Sequence, residues 1–97
     1  MLKKYYVTDW QMAFSDIAFS KNNIESARFL TLASSPVVAC ALAIHFKFST
    51  AMINGSYRVS EKGFEIHDCD IFIDSNKVNE VYLDLCENNY FNNKGDT

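Results

Sequence analysis

The feature of this sequence that most limits its fold is an uncharged apolar run from Pro36 to Ile44. The run is far shorter than the roughly 20 residues that a membrane-spanning helix needs, so we expect it inside a protein core. From Val38 to Phe48, larger apolar residues alternate with small or polar ones over eleven residues, which is typical of a strand. Ser35-Pro36 is also a typical helix start, and alanines favour a helix. We interpret the segment as a strand and keep the helix as the alternative.

The length of 97 residues predicts a single domain covering residues 1–97. Hydrophobic residues make up 48% of the chain and charged residues 22%, a composition that excludes global disorder. The net charge of −3 argues against a free-standing nucleic-acid-binding domain, because such domains are usually basic. The basic residues near the N-terminus are not followed by the apolar segment of a secretory signal. We therefore expect a cytoplasmic protein with no membrane partner.

Two helices are expected before the apolar run. Thr8, with Gln11 three residues later, matches a capping box, and Asn23 is a good N-cap for a second helix. The second helix is expected to end before Pro36, because the residue preceding a proline is disfavoured in helical conformation. The apolar faces of these helices are Trp10, Phe14, Ile17 and Ala18 in the first, and Ile24, Ala27 and Leu30 in the second.

The C-terminal half predicts strands followed by a helix. Ser56 to Ser60 is a short strand, and a further strand begins at Phe64 and continues past a bulge near His67-Asp68. The last helix covers about residues 76–88, and a frayed tail starts at about residue 89. The predicted fold is therefore α+β, with two N-terminal helices, an antiparallel sheet of about three strands and a C-terminal amphipathic helix. The expected core residues are Trp10, Phe14, Leu42, Ile44, Ile66, Ile71, Val81 and Leu85.

Motifs for catalysis or metal binding are not found in the sequence. The acidic stretch from His67 to Asp74 has Ile73 where an EF-hand loop needs glycine, and the chain has no paired cysteines or histidines at zinc-site spacing. The three cysteines, Cys40, Cys69 and Cys86, are widely spaced in apolar patterns, so we expect free, buried thiols. We predict a protein that is not an enzyme and has no cofactor, catalytic residue or metal site.

Charge is distributed unevenly along the chain. Residues 1–60 hold six basic and three acidic residues, a net charge of +3, whereas residues 61–97 hold three basic and nine acidic residues, a net charge of −6. Asp68 and Asp70 are two apart, so on a strand they would share a face at about 6.6 Å. On the last helix, spacings of four and three place acids on one stripe. The predicted partner-binding face consists of Asp68, Asp70, Asp74, Glu80, Asp84 and Glu87.

Regularly spaced carboxylates are compatible with a surface that docks on a basic partner, and also with an ordinary solvated face. A small winged-helix-like DNA-binding regulator is an alternative, although residues 23–35 contribute only Arg28 and residues 36–48 only Lys47 to a recognition helix. A structural or oligomeric protein is another alternative, and it would need an exposed apolar patch at a two-fold axis.

In size, acidity and lack of catalytic motifs, the chain resembles the small phage-encoded anti-CRISPR proteins. The resemblance covers the whole chain but includes no shared motif. It implies a non-enzymatic inhibitor that binds a protein partner with a basic DNA-binding groove and blocks target DNA binding by mimicking DNA. It further implies a type I CRISPR surveillance complex as the partner, in the host bacterial cytoplasm, without direct binding to nucleic acid.

Overall fold

A computed structural model describes residues 1–10, 27–48, 55–65 and 68–91 of the chain. Four strands and two helices are found in these residues. In chain order they are β1 (Lys3–Asp9), β2 (Arg28–Ala33), α1 (Pro36–Ala43), β3 (Ser56–Ser60), β4 (Ile71–Asp74) and α2 (Ser75–Glu87), and α1 continues into a π-helical turn (Ile44–Phe48).

The strands form one antiparallel sheet in the order β2-β1-β3-β4. Val7 of β1 lies opposite Phe29 of β2 and Val59 of β3, so these three side chains share one face. This face forms a single apolar core with α1 and α2, in which Val7, Val59 and Val78 are each at most 2% exposed. The opposite face carries the row Thr8, Arg58 and Phe72.

The apolar run forms helix α1 rather than the strand that the alternation predicts. Ser35 is the N-cap, and its Oγ accepts a hydrogen bond from the Val38 N–H at 3.4 Å, with Pro36 at the first helical position. Every residue from Ala39 to Ala43 is buried. A helix that is buried on most sides needs no polar face, so larger and smaller apolar residues can follow each other without indicating a strand.

The prediction of two N-terminal helices is wrong at residues 8–9 and at residues 28–33, which lie in strands. Thr8, the expected helix cap, lies within β1, and Arg28 to Ala33 form β2 rather than the end of a second helix. Pairing with β1 over six residues overrides the helical spacing of Ala27 and Leu30. The rest of both predicted helices, residues 11–26, lies outside the described residues. The fold is α+β, but it begins with a strand and has four strands and two described helices.

The predictions for β3 and for the last helix are confirmed to within one residue. The strand expected from Phe64 is wrong at its start, because β4 begins only at Ile71; Ile66 and His67 lie outside the described residues. Beyond α2, the chain still contacts the core at Phe91, which is only 9% exposed.

The expected core is only partly correct. Leu42 and Ile44 are buried, whereas Ile71 is 45% exposed because it begins the edge strand β4. The remaining described members, Trp10, Val81 and Leu85, are half-buried, and Phe14 lies outside the described residues.

Candidate functional site

Three of the predicted binding residues form an exposed acidic stripe on α2. Glu80, Asp84 and Glu87 are all exposed, while Val78 of the same helix is fully buried and Leu85 packs against the core. At 1.5 Å rise per residue, the stripe is about 10 Å long. Lys77 lies one turn before Glu80 and lines a shallow depression with Glu80, Val81 and Asp84.

Asp68 and Asp74 are also exposed, but they lie at opposite ends of β4. Asp68 is in the turn before the strand. Asp74 is both the last residue of β4 and the N-cap of α2, yet its side chain accepts no capping hydrogen bond from the described helix. Instead, the Ser75 N–H donates to the Gly55 carbonyl at 3.0 Å, and Ser75 Oγ accepts from the Gly55 N–H at 3.3 Å. The start of α2 is therefore anchored by Ser75, and the Asp74 carboxylate faces solvent.

Asp70 does not belong to the exposed acidic surface, and the prediction that it faces solvent with Asp68 is wrong. Its side chain is only 2% exposed, and Oδ2 accepts a hydrogen bond from Arg58 Nη1 at 2.7 Å. Asp70 precedes β4, so the two-residue spacing from Asp68 does not act as strand spacing. The exposed acidic surface accordingly consists of Asp68, Asp74, Glu80, Asp84 and Glu87.

Arg58 is the partner that sequence reasoning missed. Its side chain is 4% exposed and lies on the sheet face opposite the main core. The guanidinium donates to the carbonyl oxygens of Glu65 and Phe64 and lies 5.1 Å from the ring centroid of Trp10. Arg58 Nη2 also donates to Thr8 Oγ1 of β1 at 3.4 Å, so the side chain joins β1, β3 and the loop before β4. A single arginine in the alternating strand Ser56–Ser60 gives no signal of this role, because such a residue is normally solvated.

The carboxylates of the exposed acidic surface form no ion pair within the described part of the chain, although Lys77 lies beside Glu80 and Asp84. The ion pairs seen between described residues, Arg58–Asp70 and the exposed pair Lys3–Glu61 at 3.6 Å, do not involve these carboxylates. Carboxylates that are not held in an internal ion pair are available to an approaching basic partner, and salt weakens this attraction because it screens exposed charges.

The cysteines differ in environment, and the prediction that all three are buried is wrong for two of them. Cys40 is buried in α1, and this burial raises the pKa of its thiol to about 12. Cys69 and Cys86 are exposed free thiols. Among the described residues, no group of three or more histidine, cysteine or acidic side chains is placed to hold a metal ion. The same residues include no helix that is long and apolar enough to cross a membrane.

An aromatic cluster joins the π-helical turn to the end of α2. The His45 ring stacks on Phe91 with centroids 3.9 Å apart, and His45 Nδ1 lies 3.4 Å from the Tyr82 hydroxyl. Desolvation raises the pKa of the Tyr82 phenol, and a hydrogen bond to Cys86 and the negative charge of the Cys86 thiolate form raise it further. The cluster holds the chain after α2 against the core.

Comparison with protein-family models, with curated proteins and with solved structures gives no match for this chain.

Proposed function

We propose that this chain is a non-enzymatic inhibitor that binds a protein with a basic DNA-binding groove through its exposed acidic surface. The observation that supports the proposal is the stripe of Glu80, Asp84 and Glu87, which is exposed and forms no ion pair among the described residues. Asp68 and Asp74 extend the negative charge to both ends of β4.

The spacing of the stripe suits a groove that normally holds phosphates. Phosphates of one DNA strand follow each other at about 3.4 Å along the duplex axis, so a stripe of about 10 Å spans about three of them. Lysine and arginine side chains that hold those phosphates can also hold carboxylates. Binding of this kind is steered by charge and weakens as salt is added.

The partner to test first is a type I CRISPR surveillance complex in the bacterial cytoplasm, which follows from the resemblance to anti-CRISPR proteins. In this proposal the chain occupies the DNA-binding groove, needs no cofactor and does not itself bind nucleic acid.

A winged-helix DNA-binding regulator has less support. Such a domain reads DNA with a basic helix, but α1 is uncharged and largely buried, and the exposed stripe of α2 is acidic. Neither of the two described helices therefore offers a recognition surface for phosphates.

The decisive experiment compares two double variants with the same change in net charge. Glu80→Gln with Asp84→Asn neutralises two of the three acids of the stripe, and Glu61→Gln with Glu65→Gln neutralises two exposed acids that are not part of the stripe on α2. Affinity for a purified type I surveillance complex is measured by surface plasmon resonance, with duplex target DNA as competitor. We expect the stripe variant to lose at least about tenfold in affinity and the control to bind nearly as the parent does.

Three results would contradict the proposal. Equal loss in both variants would mean that only net charge matters. Failure of duplex DNA to compete would exclude the DNA groove as the docking site. Absence of binding by the parent protein would exclude this complex as the partner.

A further inference from the structure

Among the residues that the structure describes, strand β2 forms one edge of the sheet and lacks the usual protection of an edge strand. Edge strands are commonly shortened, charged or interrupted by proline, which prevents pairing with other chains. The opposite edge, β4, is only four residues long and is followed directly by α2. By contrast, β2 has six residues, RFLTLA, with a single charge at its first position, Arg28.

The backbone groups of alternate β2 residues point to the open edge. The Asp9 N–H donates to the Ala27 carbonyl at 2.8 Å, which makes this pair a hydrogen-bonded pair of the antiparallel ladder. Since hydrogen-bonded and non-hydrogen-bonded pairs alternate, Phe29 and Thr31 direct their backbone groups to β1. The N–H and C=O groups of Arg28, Leu30 and Leu32 consequently point away from the sheet, in position to pair with a further strand.

The side chains next to this edge are apolar and exposed. Leu30 and Leu32 are 49% and 57% exposed, and both lie on the sheet face opposite α1. An added strand would cover them if it presented apolar side chains at alternate positions on the same face.

We propose that β2 pairs antiparallel with β2 of a second copy of this chain, across a two-fold axis that passes beside Thr31. In this register Leu30 lies opposite Leu32 of the partner subunit, and Leu32 lies opposite Leu30 of the partner subunit. The backbone groups of both leucines then form hydrogen-bonded pairs, and the four leucine side chains form one cluster. This inference goes beyond the proposed function, because it involves β2 and not the exposed acidic surface.

A second copy suits this edge because the strand is complementary to itself. A two-fold axis perpendicular to the sheet places the same face of both copies on the same side of the dimer. Side chains from one face of β2 therefore meet their counterparts from the same face of the second copy, as Leu30 and Leu32 do. The two copies of Arg28 lie at opposite ends of the pair and do not repel each other at close range. Six residues per copy form a small interface, so we expect a dissociation constant between about 10 µM and about 1 mM.

The oligomeric state is tested by sedimentation velocity from about 10 µM to about 1 mM protein. We expect the mass to rise from that of one 11.1 kDa chain towards that of a dimer. Leu32→Lys should weaken the dimer by at least about tenfold, because it places a charge in the leucine cluster. The matched control is Leu83→Lys, since Leu83 is 61% exposed on α2 and should leave dimerisation unchanged.

The register is tested by disulfide cross-linking in a protein whose exposed Cys69 and Cys86 are replaced by serine. Under oxidised glutathione, Thr31→Cys should form a covalent dimer, because residues 31 of the two copies are opposite each other with Cα atoms about 4.5 Å apart, within the range for a disulfide. Leu30→Cys should cross-link at least about tenfold more slowly, because the two residues 30 are then diagonal neighbours about 7–8 Å apart.

Four outcomes would overturn the inference. The parent protein could stay monomeric at the highest concentration, or Leu32→Lys and Leu83→Lys could affect association equally. Mass that grows beyond a dimer would indicate head-to-tail pairing of edges. Faster cross-linking of Leu30→Cys than of Thr31→Cys would place the two-fold axis beside Leu30 and refute the register. This test does not depend on the lysine variants, so it stands even if those variants fail to fold.

Discussion

Replacing Asp70 tests whether the Arg58–Asp70 pair is a main support of the fold. Both side chains are nearly inaccessible, at 4% and 2% exposed, so solvent screens their interaction weakly. Across the 2.7 Å between Arg58 Nη1 and Asp70 Oδ2, the attraction is about 6 kcal/mol at an effective dielectric constant of about 20. Most of this offsets the cost of burying both charges, but removing one partner leaves the other charge buried without compensation.

We therefore expect Asp70→Asn to lower the free energy of unfolding by about 3–5 kcal/mol. For a domain of this size, that loss corresponds to a fall in Tm of roughly 12–40 °C. The matched control is Asp74→Asn, which removes an exposed carboxylate at the N-cap of α2 and should change stability by no more than about 1 kcal/mol, because it loses only the interaction with the helix dipole. Urea denaturation followed by far-UV circular dichroism measures both values.

A double-mutant cycle separates the pair from its surroundings. Arg58→Met also removes the hydrogen bonds to the Phe64 and Glu65 carbonyl groups, so it is destabilising in its own right. Combined with Asp70→Asn, it should cost about 2–3 kcal/mol less than the sum of the two single changes. If Asp70→Asn were no more destabilising than Asp74→Asn, or if the two changes added without coupling, the reasoning from the buried pair would be refuted.

Three further predictions concern the thiols and the core. Burial raises the pKa of Cys40 to about 12, from 9.0 for an accessible thiol, so the folded state holds this proton more tightly than the unfolded state does. The contribution of Cys40 to the free energy of unfolding should therefore be fully present below pH 9 and should fall as the pH rises towards 12. Denaturation measured across this pH range should show that Cys40→Ala removes this part of the pH dependence. In native protein, a thiol reagent should react rapidly with Cys69 and Cys86 and slowly with Cys40, whereas equal rates at all three would contradict the burial of α1. Leu42→Ala should cost about 2–5 kcal/mol in unfolding free energy, while Ile71→Ala should cost clearly less because its side chain is 45% exposed; similar costs would contradict the position of α1 in the core.

Local patterns in the sequence predict those elements whose pattern and tertiary role agree. Helix α2 has apolar residues at helical spacing on one side and acids on the other, and β3 has alternating residues. Both elements occur in the structure within one residue of their predicted bounds. The acidic stripe of α2 could be predicted for the same reason, since a helix surface is determined by spacing alone.

The segments that sequence reasoning misassigned are those in which long-range contacts decide. Arg28 to Ala33 carry residues that are acceptable in a helix, but pairing with β1 makes them a strand. Alternation in Val38 to Phe48 indicates a strand only where one side is solvated, and α1 is buried on most sides.

The amino-acid sequence by itself determined the acidic C-terminal half and the exposed stripe of Glu80, Asp84 and Glu87, because these depend on composition and short-range spacing. Tertiary structure alone decided that Asp70 is buried, since nothing near it in sequence shows that Arg58, twelve residues earlier, is brought to within 2.7 Å of its carboxylate. It also decided that β2, and not a helix, lies at the edge of the sheet, because the sheet order depends on which strands pair. Strand pairing and charge burial are both set by contacts between residues distant in sequence, and no local pattern records them.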